Sequence, residues 1–121
     1  MVDEIMSHFF RLRYLDISGE YQGNIQVANY TPDQIYLGFS NGNVNGVISR
    51  NGTPQIYLTG TYNKESGSIF LKQIVIPPTP ALIIDGLVSS TSIPGKKIDI
   101  NGTIWTNIGN LKVSATLTVL P

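Results

Sequence analysis

A chain of 121 residues with no cysteine excludes a disulfide framework, a zinc–thiolate site and a thiol nucleophile, yet it is long enough to bury one core unaided. Its eight basic and eight acidic residues cancel, and charged residues are only 13% of the chain, about half the usual share. No basic stripe is available for a phosphate backbone, so nucleic acid is not an expected partner.

Residues 2–10 carry the only helical pattern. Asp3 and Glu4 suit the positive end of a helix dipole, and Ile5, Met6, Phe9 and Phe10 form one apolar stripe. The early acids and the lack of a long apolar run argue against a cleaved signal peptide, and no stretch approaches the roughly 18 apolar residues of a membrane-spanning helix. The expectation is a soluble single domain over residues 1–121, with no membrane partner, cytoplasmic or associated with a virion or other particle.

From Arg11 onward the pattern is strand. Four stretches repeat apolar-x-apolar-x-Gly-x-apolar, centred on Gly19, Gly60, Gly86 and Gly102, and Ile35 to Phe39 carries the alternation with its glycine, Gly38, one place early. In each repeat the glycine falls in the apolar, inward series. Glycine inside a strand marks a bend or a close backbone approach, which a tightly curled sheet requires.

Nine strands are predicted, joined mainly by hairpins. Tyr14 to Tyr21 is followed by a turn at Gly23-Asn24 and a short strand from Ile25 to Val27. Ile35 to Phe39 leads into a loop at Asn41 to Gly46, where two Asn-Gly pairs offer the positive φ angles of a type I′ turn. Val47 to Arg50, Gln55 to Tyr62 and Ser68 to Ile76 follow. Pro77-Pro78-Thr79-Pro80 cannot donate to a ladder, and this 77–80 segment is read as a rigid crossover between sheets or around a barrel rim. Ala81 to Val88, Lys97 to Thr106 and Leu111 to Leu120 complete the set. Such an all-β antiparallel meander closes as a small barrel; the alternative is a β-sandwich.

Within it, Gly60-Thr61-Tyr62-Asn63-Lys64-Glu65-Ser66-Gly67-Ser68-Ile69-Phe70 resembles the first hairpin of the avidin–streptavidin barrels, Gly-Thr-Trp-x-x-x-x-Gly-Ser-x-Phe. The resemblance covers eleven residues and implies a barrel-type hairpin. Ser68 stands at a position that contacts biotin in that family, but Lys64 replaces a ligand-binding Asn and Trp105 is the only tryptophan. A biotin site is therefore not implied.

Few residues suggest chemistry. Asp16, Asp99, Asp85 and Glu20 could pair as the two carboxylates of a hydrolase, but acids facing outward from strands ordinarily serve solvation and keep sheets apart. His8 is the only histidine and falls in the short helix, so neither a catalytic triad nor a transition-metal site is expected. Gly42 to Gly46 lacks the lysine and the following helix of a phosphate loop. No cofactor is predicted. The Asn-x-Thr sequons at Asn29, Asn51 and Asn101 carry little weight without a signal peptide.

The aromatic residues say more. Tyr36, Tyr57, Phe70 and Trp105 fall on the outward phase of their strands, so several strands are apolar on both faces. A solitary barrel has little use for this, and a second cover is expected. The leading expectation is a non-enzymatic structural or interaction domain that forms a homo-oligomer through a sheet face. By analogy of composition, such domains occur in virions, fibres and appendages. The second is a binder of a small molecule or carbohydrate at the barrel mouth or on exposed aromatics. A hydrolase with paired carboxylates comes third.

Overall fold

The computed structural model of the protein describes residues 17–90 and 96–121. Eight strands follow one another: β1 (Gly19–Val27), β2 (Asp33–Ser40), β3 (Asn43–Ser49), β4 (Ile56–Tyr62), β5 (Ser68–Gln73), β6 (Ile83–Ser90), β7 (Lys97–Thr106) and β8 (Gly109–Val119). Each pairs antiparallel with the next, and β8 returns to pair with β1, from Tyr21 opposite Val119 to Val27 opposite Val113. The barrel is closed, which settles the choice against a sandwich and leaves no free sheet edge.

The period-two alternation sorts side chains as the sequence suggests. Ile35, Leu37 and Phe39 point inward from β2, Val44 and Ile48 from β3, and Leu58 and Tyr62 from β4. Ile69, Leu71, Ile84, Val88, Ile98, Ile100 and Ile104 continue the interior around β5 to β7, and Val113, Ala115 and Leu117 complete it from β8. Phe39 is held between two tyrosines, edge to face, with ring centroids 5.6 Å from Tyr21 and 5.5 Å from Tyr62. These contacts fill the barrel with side chains, so its axis is a packed core.

Eight strands replace the predicted nine because Gly23-Asn24 does not turn. Both residues lie within β1, and a side chain on Gly23 would strike the Thr116 carbonyl of β8. Only Asn41 and Gly42 make the next turn, with φ of 52° and 81°; Asn43 to Gly46 already belongs to β3. The 77–80 segment, with a cis bond between Pro77 and Pro78, does not cross between sheets: it lies at the barrel rim, in the loop joining the hydrogen-bonded neighbours β5 and β6. The helix predicted at 2–10, His8, Asp16 and the start of the first predicted strand lie outside the described residues.

Three of the four repeat glycines lie where neighbouring backbones approach closely, one of the two roles expected of a strand glycine. A Cβ on Gly60 would stand 1.7 Å from the Phe70 carbonyl oxygen, and on the register partners Gly86 and Gly102 it would stand 2.6 Å from the Asn101 and 2.2 Å from the Asp85 carbonyl oxygen. Gly19 differs: it is exposed, has φ of 96°, and opens β1. Gly38 faces outward, with the Tyr36 hydroxyl 3.7 Å from where its Cβ would be.

Strand direction assigns the loops to two ends. One end holds the Asn41-Gly42 turn and the 63–67 loop; the other holds the β1–β2, β3–β4, β5–β6 and β7–β8 connections.

Candidate functional site

Two surfaces stand out once the core is subtracted. The first is the outer face of β4 to β7. Tyr57, Phe70, Ile74, Leu87 and Trp105 are exposed here, Trp105 by 48% and Leu87 by 60%. Register spreads them over the face: Ile74 N donates to the Tyr57 carbonyl, and Leu87 lies between Ser68 on β5 and Asn101 on β7. Ile83 lies between Lys72 on β5 and Trp105 on β7, and Phe70 lies between Thr61 and Asp85. A depression of about 520 Å³ opens on this face between Thr59, Lys72, Ile74, Val75 and Ile83.

The opposite side of the barrel is different in kind. The outward residues of β1 are Glu20, Gln22, Asn24 and Gln26, and those of β8 are Asn110, Lys112, Ser114, Thr116 and Thr118. One side is polar throughout, while the other mixes apolar side chains with Lys72 and Asp85.

The four singled-out aromatics are not all brought together. Tyr36 on β2, Val47 on β3 and Tyr57 on β4 form one lateral row. Trp105 on β7 is separated from that row by β5 and β6, so Tyr36, Tyr57 and Trp105 do not build a common sugar platform. Tyr36 is half-buried and donates a hydrogen bond to Glu20 Oε1 at 2.6 Å. That bond, reinforced by burial and by the nearby carboxylate charge, raises the phenol above its ordinary range. Tyr57 donates to Gln55 Oε1 at 2.8 Å.

The carboxylates are dispersed as well. Glu20 on β1 and Asp85 on β6 are separated by β7 and β8, and Asp99 accepts a hydrogen bond from Thr116 Oγ1 at 2.8 Å. Among the described residues, no group of three His, Cys, Asp or Glu side chains is placed to hold a metal ion. Ser68, the residue shared with biotin-binding hairpins, points outward beside the buried Ile69, and its hydroxyl accepts from Ser66 Oγ at 2.9 Å. It faces away from the barrel interior.

The second surface was not singled out residue by residue in the sequence. At the four-loop end the barrel opens into a concavity of about 490 Å³. Its floor is Val27, Leu82, Ile104 and Leu111, and Tyr30 and Ile108 rise beside it. On one wall Arg50 grips Asp33 with two bonds, Nε to Oδ1 at 2.6 Å and Nη2 to Oδ2 at 3.0 Å. These bonds, with the carboxylate charge, hold the guanidinium above its ordinary range.

The loops around this mouth are tied down locally. Gln26 Nε2 donates to the carbonyls of Ala28 and Tyr30, and Ala28 N donates to Lys112 O. Thr53 bonds twice to the Arg50 carbonyl. Gln73 Oε1 accepts from Leu82 N at 3.1 Å, and Thr106 Oγ1 both donates to Gly109 O and accepts from Ile108 N.

No protein-family profile matches the chain, and no curated protein matches it at a significant level. Among solved structures it is similar to a redesigned β-barrel, with a TM-score of 0.69 at 15% identity over 92% of this chain and 96% of that one. At that identity the likeness bears on architecture alone. The chain is a closed, eight-stranded antiparallel β-barrel.

Proposed function

We propose that the protein is a non-enzymatic interaction module that pairs with a second copy of itself through the outer face of β4 to β7. The observation that carries this reading is the asymmetry of the outer surface. The core is already complete inside the barrel, yet Tyr57, Phe70, Ile74, Leu87 and Trp105 remain in water on one side only. Large apolar side chains exposed on one face of a complete barrel support an interface there.

Three features favour a second copy as the partner. The barrel has no edge strand to extend, so association must be face to face. The face carries both projecting aromatics and a depression, and it carries an exposed cation, Lys72, near an exposed anion, Asp85, with Lys97 exposed at the start of β7. A two-fold axis that sets Lys72 of each copy against Asp85 of the other would meet the self-complementarity an isologous interface requires. Finally, zero net charge gives the two copies little repulsion to overcome.

Sedimentation equilibrium tests the reading. The wild-type chain is expected as a dimer at micromolar concentration, and the pair Leu87→Glu and Trp105→Glu as a monomer with an unchanged far-ultraviolet CD spectrum. A wild-type monomer throughout the micromolar range would refute the proposal. So would a folded double variant that dimerises as the wild type does.

A further inference from the structure

We infer that the four-loop mouth of the barrel is a binding site for a small, uncharged, mainly apolar molecule bearing a carbonyl or similar acceptor. This goes beyond the self-association: the mouth opens at the end of the barrel and shares only Gln73, Thr79 and Ala81 with the depression on the outer face.

The size and lining set the class. A concavity of about 490 Å³ falls within the range of small-molecule sites, which in barrels lie at the mouth. Val27, Leu82 and Leu111 pack against the core from below and leave apolar surface turned toward the opening, with Ile104 beneath them. Tyr30 and Ile108, 58% and 82% exposed, flank the opening. Neither side chain is needed by the core, and each would lose its contact with water if an apolar body sat between them.

The polar groups choose the head. An arginine has five N–H donors, and the two bonds to Asp33 leave Arg50, a lining residue of the concavity, with others. Gln73 uses its amide oxygen on Leu82 N, which leaves its NH₂ group as a donor. Arg50 and Gln73 thus offer donors to an acceptor group on a bound molecule. At the same time Asp33 cancels the charge of Arg50, and the lining holds no other ionic side chain. A carboxylate would gain donors here but no net attraction, and would still lose its hydration; a carbonyl gains the donors at far smaller desolvation cost.

The site is also built in advance. All four loops are held by the side-chain and backbone bonds described above, so little ordering entropy remains to be lost when a ligand arrives.

Nile red, an uncharged dye with a ring carbonyl, serves as the probe on the full chain. Its fluorescence is expected to rise saturably with one site per chain. Tyr30→Asp together with Ile108→Asp, both on exposed side chains, is expected to weaken binding at least about tenfold. Phe70→Asp with Leu87→Asp, on the outer face, is expected to leave it within about twofold. Decanamide is expected to displace the dye at least as well as decanoate. The site assignment is overturned if the mouth variant binds like the wild type while folded, or if only the outer-face variant loses the dye. Tenfold better displacement by decanoate overturns the uncharged class.

Discussion

Gly86 and Gly102 face each other across β6 and β7, so close that a methyl group on Gly102 would lie 2.5 Å from the Gly86 α-carbon and 2.2 Å from the Asp85 carbonyl oxygen. Both obstacles are backbone, which cannot step aside as a side-chain tip can. Gly102→Ala is therefore expected to destabilise the fold by about 1–3 kcal/mol, seen as a fall in Tm of several degrees by CD. An unchanged Tm would mean that the strands tolerate a wider separation than the register shows.

Phe39 is the centre of the Tyr21–Phe39–Tyr62 stack. Phe39→Leu keeps most of the apolar volume but removes both edge-to-face contacts. The expected loss is about 1–3 kcal/mol in urea unfolding, with the m-value retained and the near-ultraviolet CD of the tyrosines reduced. A full near-ultraviolet signal in the folded variant would show that the tyrosines are held by other contacts.

Tyr36 and Tyr21 both have phenols raised above their usual value of 10.0, Tyr36 first by its hydrogen bond to Glu20 and Tyr21 by burial. The folded state therefore holds these protons at a pH where the unfolded chain has begun to release them. The associated stability is fully present below the unfolded value and is lost as pH rises through the folded one. Tyr36→Phe should lower stability at neutral pH, with the gap from wild type closing under alkaline conditions. Parallel thermal melts across that range check this; a gap that stays constant with pH would separate Tyr36 stability from its ionisation.

Lys72 and Asp85 give the proposed pairing a charge signature. Lys72→Asp alone, or Asp85→Lys alone, puts like charges across the two-fold axis and is expected to weaken the dimer severalfold. The double exchange restores opposite charges and should recover most of the affinity. Sedimentation equilibrium at low salt reads the effect. If the double exchange is no better than the single ones, the two side chains do not meet across the interface.

Much of the barrel was legible because inside and outside alternate along a strand. Ile35, Leu37 and Phe39 against Tyr36, or Ile98, Ile100 and Ile104 against Trp105, could be assigned a face from period alone. The inward phase of Gly60, Gly86 and Gly102 followed from the same period. Gly23-Asn24 was misread because Gly-Asn chemistry permits a turn and a strand bend alike. The atom that decides between them, the Thr116 carbonyl, belongs to β8 at the far end of the chain.

By itself, then, the sequence determined the strand character, the inward series and the outward aromatics, since each depends on neighbours one to four positions away. Only the tertiary structure decided the closure of β1 on β8, the separation of Tyr57 from Trp105 by β5 and β6, and the union of Val27, Arg50, Leu82 and Leu111 at one mouth. Those relationships depend on the register between strands. Register is set by how distant side chains pack together inside the closed barrel, which no local pattern records.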